Sequence, residues 1–312
     1  MNIHQLEYIV ALDTHRNFVK AAAACFITQA TLSIMIKKLE EELGVAIFDR
    51  SKQPLFPTEL GEKIIAQSRI ILQEYSNLKE IVDHENNEYS GDLKIGIIPT
   101  LAPYLIPRFL NSFLIKHPNI RLHISEIPTN SIVQKLKEYS LDVGIMAIPF
   151  NSTLNEETIF YEEFVVYSAA SDKVLKKKVL KPTDLAESNL WLLEEGHCLR
   201  TQVVNLCGLQ NVGKNNNQID FVAGSIETLK KLVEMNHGIT VLPSLALDFM
   251  STEQKKNVRY FESPQPVREI GFVTYRQHLK SKLISALKQE VLAAIPKAMR
   301  RQKGKLVQNA DN

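Results

Sequence analysis

The chain has 312 residues with a formal net charge of +2, and 45% of them are hydrophobic while 23% are charged. This composition is typical of a globular protein with room for two or three domains, and it excludes binding to nucleic acid through bulk charge alone. Three cysteines in so long a chain exclude a disulfide framework. No run approaches the ~20 apolar residues of a membrane span, and the first residues lack the apolar segment of a signal peptide. We therefore expect a protein of the reducing cytoplasm with no membrane partner.

The first part of the chain predicts three helices followed by a small two-stranded wing. The three predicted helices are "IHQLEYIVALDT", the Ala-rich "NFVKAAAACF" and "TQATLSIMIKKLEEELG", in which apolar residues recur at helical spacing. Gly44 is expected to end the third helix. The next stretch, "VAIFDRSKQPLFPT", alternates and contains two prolines, as a wing would. One apolar stripe is predicted along the third helix, made of Leu32, Met35, Ile36, Leu39 and Leu43.

A long helix is predicted after the wing, with Thr58 as its N-terminal cap. Its apolar residues lie near heptad spacing, which favours a dimerising coiled coil. The polar run "DHENNEYSGD" that follows predicts a hinge. The members of the apolar series are Leu60, Ile64, Ile71, Tyr75, Leu78 and Val82.

From residue 92 onward, strand and helix patterns alternate. "LKIGII", "IRLHISEI" and "LDVGIMAI" read as strands with helices between them, and a second set begins near "EEFVVYSAA". Alternation of this kind is typical of βαβ units and predicts a parallel sheet. The predicted fold class is therefore α/β with an all-α N-terminal part.

The second and third helices, joined through Ile27 and Thr28, predict a helix-turn-helix. The second helix of such a pair enters the major groove of DNA by its N-terminal end. Residues suited to base edges there are Gln29, Thr31 and Ser33. Residues suited to phosphates are Lys37, Lys38, Arg50 and Lys52. The alternative from pattern alone is three packed helices with ordinary polar faces, and the acids Glu40, Glu41 and Glu42 would have to lie away from a duplex.

The N-terminal motifs resemble those of LysR-type transcriptional regulators. The matching elements are the Ala-rich second helix, "TQATLS", "IKKLEEELG", "IFDR" and "PTELG"; Ala30 departs from the proline that many members have. The resemblance implies a winged helix-turn-helix over 1–58, a linker helix over 59–90 and a regulatory domain over 91–312. That domain would be two-lobed and similar to periplasmic binding proteins, with one lobe about 91–162 and 268–300 and the other about 163–267. The implied partners are double-stranded DNA, RNA polymerase and further copies of the chain in a dimer of dimers.

Two of the cysteines lie in one stretch, "EEGHCLRTQVVNLC". Cys198 is predicted in the first turn of a helix, where the helix dipole and a nearby His197 or Arg200 favour the thiolate, the form that peroxide oxidises to a sulfenic acid. If the helix continues to Cys207, the nine-residue separation puts the two Cα atoms about 13 Å apart. A disulfide needs roughly 4.4–6.8 Å, so the pair could bond only if the helix broke.

Other interpretations of these thiols remain open at this point. Two cysteines in a helix are often small buried apolar residues. One histidine and this cysteine spacing lack the ligands of a zinc site, and a thioredoxin-like site would need C-x-x-C. Cys25, in the packed Ala-rich helix, is expected to be structural. We predict no cofactor and no metal.

The cysteine stretch also resembles the peroxide-sensing OxyR branch of the LysR family, as do "MNIHQLEYIVAL", "IGIIPTLAPYLIP", "SIETLKKLV" and "GITVLPSLAL". The resemblance implies that Cys198 is oxidised by peroxide and that Cys207 resolves it as an intramolecular disulfide. It also implies a hydrogen peroxide pocket made of Thr100, Thr129, His197 and Arg268. The threonines could instead be helix caps, and Arg268 an ordinary strand-end charge. Thr201 departs from the acid that often follows "CLR", which bears on sensitivity to oxidation.

The expected function is that of a hydrogen-peroxide-sensing activator of antioxidant genes, and not an enzyme. One alternative is a LysR-type regulator that binds a small metabolite between its lobes, with inert cysteines. Another is a thiol peroxidase, which the helix-turn-helix disfavours.

Overall fold

A computed structural model describes residues 1–51, 54–85, 90–150, 154–208, 223–236, 238–275 and 280–307. The chain divides into two compact units, Met1–Glu88 and Tyr89–Asn312. Lys52, a predicted phosphate contact, lies outside the described residues, as does most of the strand predicted over "QIDFVAG".

The N-terminal unit is built from helices and one short hairpin, as predicted. Its hairpin strands β1 and β2 pair antiparallel, with Phe48 opposite Pro57. Its elements are α1 (Ile3–His15), α2 (Phe18–Ala24), α3 (Gln29–Leu43), β1 (Phe48–Asp49), β2 (Phe56–Pro57) and α4 (Glu59–Glu85).

Helix α3 begins and ends where the sequence predicts. The hydroxyl of Thr28 accepts a hydrogen bond from the backbone N–H of Thr31 at 3.2 Å, and Gly44 ends the helix with φ +72°, a conformation that glycine adopts without strain. The predicted stripe is buried through Leu32, Ile36 and Leu39. Met35 is half-buried and Leu43 is 39% exposed, so the buried face is narrower and shorter than predicted.

The predicted apolar series on α4 divides into two sets. Ile64 and Ile71 pack against the core of the N-terminal unit, whereas Leu60, Tyr75 and Leu78 are 48%, 43% and 61% exposed. The side chain of Val82 lies outside the part of the chain that the structure describes. The predicted cap is present: the Thr58 hydroxyl accepts from the backbone N–H of Gly61 at 2.9 Å.

The second unit, Tyr89–Asn312, is called the regulatory unit after the domain that the resemblance implies, and it contains the remaining helices and strands. The helices are α5 (Ala102–Lys116), α6 (Thr129–Lys137), α7 (Cys198–Cys207), α8 (Ile226–Asn236), α9 (Thr252–Lys256) and α10 (Ser281–Ala294). Short 3₁₀ helices cover Lys173–Lys176, Pro182–Glu187, Ser244–Phe249 and Lys297–Arg300. The strands are β3 (Gly91–Ile97), β4 (Ile120–Glu126), β5 (Val143–Ile148), β6 (Asn155–Ser168), β7 (Val179–Leu180), β8 (Ile239–Pro243), β9 (Val258–Phe261), β10 (Pro266–Thr274) and β11 (Lys305–Leu306).

The sheet is mixed rather than parallel throughout, which corrects the prediction. Strand β3 is parallel to β4 and β5, but β10 is antiparallel to β5 and β6, and β6 is antiparallel to β8 and β9. The chain passes from β5 to β6 without a crossover helix, so this connection falls outside the βαβ rule.

Strand β6 joins the two halves of the regulatory unit. Its first part, from Asn155 to Glu163, pairs with β10, and its last part, from Phe164 to Ser168, pairs with β8. The first lobe therefore contains β3, β4, β5 and β10, and the second lobe contains β7, β8 and β9. Because β3 and β4 are parallel, the loops after their carboxyl ends leave the same edge of the sheet.

Within the described ranges, no single helix is long and apolar enough to cross a membrane. The pair α2 and α3, bent by 97° at their junction, passes the same test of length and composition when taken together.

Candidate functional site

The two thiols occupy opposite ends of α7. Cys198 is its first residue and Cys207 its last, and Gly208 ends the helix with φ +63°. Both cysteines are free and half-buried, and both pack against the hydrophobic core of the regulatory unit. Since the helix is continuous between them, nine residues at 1.5 Å each separate the Cα atoms by about 13 Å. That separation exceeds the Cα distance of a disulfide.

A fully buried ion pair lies where β6 and β10 pair. Arg268 and Glu162 are directly opposite each other in the antiparallel register, and each is 0% exposed. The Arg268 guanidinium donates to Oε2 of Glu162 from Nε at 3.0 Å and from Nη2 at 2.7 Å. The second carboxylate oxygen of Glu162 accepts from the backbone N–H of Leu245 at 2.9 Å. The pair is therefore well hydrogen-bonded, as a buried charge must be.

Arg268 also binds the loop after β3. Its Nη1 donates to the hydroxyl of Thr100 at 2.9 Å, and its Nη2 donates to the backbone carbonyl of Thr100 at 3.2 Å. The following helix has Leu101 as its N-cap, without a side-chain cap hydrogen bond. The hydroxyl of Thr100 is thus engaged by the guanidinium, and the alternative role of helix cap is not the one observed.

Thr129 follows β4 and is the first residue of α6, whose N-cap is Pro128. It is 5% exposed, and its hydroxyl makes no hydrogen bond of ordinary geometry with any described group. The hydroxyl nevertheless lowers the pKa of the Cys198 thiol, because it acts on that sulfur as a hydrogen-bond donor. An otherwise unpartnered donor close to the first thiol is suited to a polar ligand there.

Burial raises the pKa of the Cys198 thiol above its ordinary value. The charge of Arg268, the Thr129 hydroxyl and the backbone N–H groups of Leu199 and Cys198 itself oppose that rise. The sequence-based expectation of a thiolate-favouring pKa is wrong in its net direction, because the pattern of residues does not reveal the depth of burial. The neighbours expected to act also differ, since Arg200 donates from Nη1 to the carbonyl of Leu193 at 2.8 Å.

His197 precedes the first thiol and is the N-cap residue of α7. It is 7% exposed, and its Nε2 lies 3.5 Å from a carboxylate oxygen of Glu194. Among the described residues, no group of three or more His, Cys, Asp or Glu side chains is arranged to hold a metal ion. His197 therefore lies beside the thiol as a polar neighbour paired with an acid.

The environment of Cys207 is simpler. Burial raises the pKa of its thiol to about 11, and no charge or hydrogen bond from the described residues opposes the rise. Such a thiol is protonated and weakly nucleophilic near neutral pH.

Sequence reasoning missed three polar groups near the site. Glu162 is the acid that pairs with Arg268; the sequence carries no clear signal for it, because its strand, "NEETIFYEEFVVYS", holds four glutamates. Tyr104 on α5 donates from its hydroxyl to Glu227 on α8 at 3.0 Å, which links the two lobes, and burial together with Glu227 raises its pKa. Gln202, one turn after Cys198, is 0% exposed, and both polar atoms of its amide lack hydrogen-bond partners among the described residues.

In the N-terminal unit, the predicted DNA-facing residues lie on or near the open face of α3. Gln29, Thr31, Lys37 and Lys38 are exposed, and Ser33 is half-buried. Lys37 lies 3.7 Å from Glu41 on the same face.

Arg50 is held at the base of the wing. Its Nη2 donates to Oε2 of Glu40 at 2.9 Å, while Oε1 of Glu40 accepts from the backbone N–H groups of Ile47 and Phe48 at 2.8 and 3.2 Å. Glu42 binds the terminal amino group of Met1 at 2.5 Å. Glu40 and Glu42 are thus neutralised by partners within this unit, which reduces their repulsion of a phosphate backbone.

Two family models match the chain. The model described as "Bacterial regulatory helix-turn-helix protein, lysR family" matches residues 3–62, and the model described as "LysR substrate binding domain" matches residues 86–296.

Curated proteins similar to this chain include a hydrogen peroxide-inducible genes activator of Haemophilus influenzae, 34% identical over 88% of this chain and 90% of that protein. The DNA-binding transcriptional dual regulator OxyR of Escherichia coli is 36% identical over 88% of this chain and 89% of its own length.

Similar solved structures include a full-length variant of OxyR from Pseudomonas aeruginosa. It has a TM-score of 0.78 and 32% identity, and the match covers 94% of this chain and 98% of that one. A variant of OxyR from Corynebacterium glutamicum with hydrogen peroxide bound has a TM-score of 0.61 and 26% identity, covering 94% and 92%.

Proposed function

We propose that this chain, which belongs to the LysR family of DNA-binding transcriptional regulators and is similar to hydrogen peroxide-inducible genes activators, is switched by oxidation of Cys198. The observation that carries the proposal is the set of groups around that thiol. A positive charge, the Thr129 hydroxyl and two backbone amides all act to lower its pKa, whereas no described group does so at Cys207.

In the first step, the thiolate of Cys198 attacks one oxygen of hydrogen peroxide. An S–O bond forms, the O–O bond breaks, and the departing hydroxide takes up the proton that the thiol has released. The products are a sulfenic acid on Cys198 and water, so the sulfur is oxidised by two electrons and the peroxide is reduced. Thr100, Thr129, His197 and Arg268 are proposed to hold the two peroxide oxygens.

In the second step, the thiolate of Cys207 attacks the sulfenic sulfur of Cys198. An S–S bond forms, the S–O bond breaks, and the leaving hydroxide takes up the proton of the second thiol as water. Because the intact helix holds the two Cα atoms about 13 Å apart, this bond requires α7 to unwind. The unwound segment would repack surfaces of the second lobe and so alter the spacing of the DNA-binding units.

Burial of the Cys198 thiol favours a switch over a constitutively reactive site. The raised pKa keeps most molecules protonated, and only the thiolate fraction reacts. Peroxide bound by the neighbouring donors would react faster than free peroxide because the reacting atoms are already oriented.

The direct test is mass spectrometry of the reduced chain before and after equimolar hydrogen peroxide. Cys207→Ser should accumulate a sulfenic acid on Cys198 that dimedone labels, while Cys198→Ser should leave Cys207 reduced at the same dose. Cys25→Ser serves as the matched control and should behave as the unmodified chain does. Equal reactivity of Cys198 and Cys207 toward peroxide would contradict the proposal. If neither cysteine reacted with peroxide, the proposal would also be wrong, and the alternative of a regulator that binds a small metabolite would be favoured.

A thiol peroxidase would turn over many peroxide molecules. With a thioredoxin system in excess, a peroxidase should therefore consume peroxide until it is exhausted, whereas this chain should show no sustained turnover. Sustained turnover at enzymatic rates would contradict a regulatory role.

We also propose that the chain binds double-stranded DNA through α3, engages RNA polymerase, and assembles as a dimer of dimers. The exposed apolar residues Leu60, Tyr75 and Leu78 on α4 support a partner for that helix. Light scattering at micromolar concentration should give a mass above that of one chain, and Leu78→Lys should lower it.

A further inference from the structure

One of the residues that project most directly away from the core on α3 is apolar. Leu32, Ile36 and Leu39 are each 0% exposed and define the buried face of the helix. At about 100° of rotation per residue, Ile34 lies opposite the centre of that face. It is 65% exposed, so any surface that α3 meets will meet Ile34 near the middle of the contact.

The neighbours of Ile34 on this face are small, polar or charged. Ala30 lies one turn earlier on the same face, and Lys38 lies one turn later; both are exposed. Thr31 and Lys37 flank the centre and are exposed as well. Lys37 lies 3.7 Å from Glu41, which is on the same face two turns after Ile34. The exposed Lys38 suits a phosphate beside a groove.

We infer that Ile34 is a specificity-determining residue that contacts the 5-methyl group of a thymine in the major groove. The inference rests on the proposed docking of α3 on DNA. Isoleucine has no hydrogen-bond donor or acceptor, so it cannot read the polar edges of guanine, cytosine or adenine. The thymine methyl is the one apolar group that the major groove offers, and the short side chain of Ala30 leaves room for the base edge beside Ile34.

The contact adds to the polar readout assigned to Gln29 and Thr31. Those residues lie nearer the N-terminus of α3, whereas Ile34 lies one turn further along. We therefore expect the thymine it contacts to lie beside the bases read by the N-terminal turn, within the same half-site.

The test uses the full chain and a duplex library with a randomised segment. After selection, the recovered sequence is synthesised with each thymine replaced in turn by deoxyuridine, which lacks only the methyl group. Binding is measured by gel shift for the unmodified chain, Ile34→Ala, Ile34→Val and Val179→Ala. Val179 is 55% exposed on β7 in the regulatory unit, so its truncation is the matched surface control.

One thymine-to-deoxyuridine change per half-site should weaken binding of the unmodified chain by about fourfold, the effect of losing one buried methyl group. At that position, Ile34→Ala should bind the thymine and deoxyuridine duplexes with equal affinity. At the other thymine positions, its loss of affinity on substitution should equal that of the unmodified chain. Ile34→Val should retain most of the discrimination, and Val179→Ala all of it. Thermal unfolding of Ile34→Ala should match that of the unmodified chain, since the side chain is largely exposed.

An unmodified chain indifferent to every deoxyuridine substitution would overturn the inference while leaving DNA binding intact. The inference would also be overturned if Ile34→Ala kept the full sensitivity of the unmodified chain at every position. Failure to enrich any sequence would overturn both the inference and the proposed docking of α3.

Discussion

The two ends of α7 carry the same side chain in different surroundings. Burial raises the pKa of both thiols. At Cys198 four groups oppose the rise, and at Cys207 none of the described residues does. Both thiols of the helix therefore have raised pKa values, but only that of Cys198 is partly offset by neighbouring groups.

The difference comes largely from residues outside the helix. Helix N-terminal amides contribute at Cys198, but the strongest opposing group is Arg268, which is on β10, and the next is Thr129, which follows β4. Both belong to the first lobe, while α7 belongs to the second. The pKa of Cys198 thus depends on groups from both lobes, so substitutions in the first lobe should change the contrast between the two thiols.

The largest expected effect is that of Arg268→Met. Removing the guanidinium leaves Glu162 buried without its partner, which should lower the free energy of unfolding by about 3–5 kcal/mol. Alkylation of Cys198 should slow as well, and that of Cys207 should not change. Urea unfolding and iodoacetamide labelling followed by mass spectrometry measure the two effects.

Glu162→Gln combined with Arg268→Met separates stability from chemistry. The double variant should recover much of the stability, because a neutral amide replaces the orphaned charge, yet Cys198 should stay slow. Recovery of the Cys198 rate in the double variant would mean that Arg268 acts only by supporting the fold.

The second largest expected effect is the change in the labelling rate of Cys198 with pH. Because the pKa of Cys198 is raised, its thiolate fraction should grow about tenfold per pH unit throughout the neutral range. Labelling of Cys198 should therefore increase about a hundredfold from pH 6 to pH 8, in a Cys25→Ser background. A plateau below pH 7 would show a thiol that is already ionised, contrary to a pKa raised by burial.

A smaller effect concerns stability at alkaline pH. The pKa of Cys207 is about 11 in the folded chain and about 8.5 in an unfolded one, so folding holds a proton that unfolding releases. The resulting stability is fully present below about pH 8.5 and is lost as the pH rises through 11. Between pH 8 and pH 10.5 the reduced chain should lose about 2 kcal/mol more than Cys207→Val does. Identical losses in urea titrations of the two proteins would show that Cys207 is not buried as described.

The smallest expected effect is on the labelling rate of Cys198 when the Thr129 hydroxyl is removed. Thr129→Val keeps the shape of the side chain but removes the donor that lowers the pKa of Cys198, and should slow its labelling about fivefold, the value of roughly 1 kcal/mol. Thr129→Ser should restore most of the rate, and Cys207 labelling should be equal in all three proteins. A Thr129→Val chain that labels at the normal rate would remove the hydroxyl from the site.

Much of the fold follows from the sequence because local signals and tertiary packing agree. Thr28 and Gly44 delimit α3 by side-chain capping and by a left-handed backbone, both readable from residue type. The parallel set of β3, β4 and β5 follows from βαβ spacing. The antiparallel pairing of β6 and β10 could not be predicted in this way. A strand that passes from one lobe to the other has the same hydrophobic pattern as a parallel strand that follows a helix.

The candidate site is less readable for a similar reason. Its residues come from five separate segments of the chain. A sequence motif can suggest Arg268 as a site residue, but it does not show that Glu162 is the residue opposite it on the neighbouring strand. The sign of the Cys198 pKa shift could not be predicted either, because burial depends on how the lobes pack. The outward position of Ile34, by contrast, follows from the stripe opposite it and could have been read from the helix alone.

The pairing of Arg268 with Glu162 also sets what kind of molecule the cleft can accept. Among the described contacts, four of the five guanidinium N–H groups are taken by Glu162 and Thr100, and the carboxylate partly offsets the positive charge. An arginine in this state offers a single further N–H donor, and its paired carboxylate weakens its attraction for an anion. We expect the site around Cys198 and Arg268 to favour small uncharged ligands such as a peroxide over carboxylate metabolites. Acetate or succinate at millimolar concentration should therefore leave the labelling of Cys198 unchanged. The selectivity of the proposed site would then rest on a positive charge that Glu162 offsets inside the protein, rather than on a full charge available to the ligand.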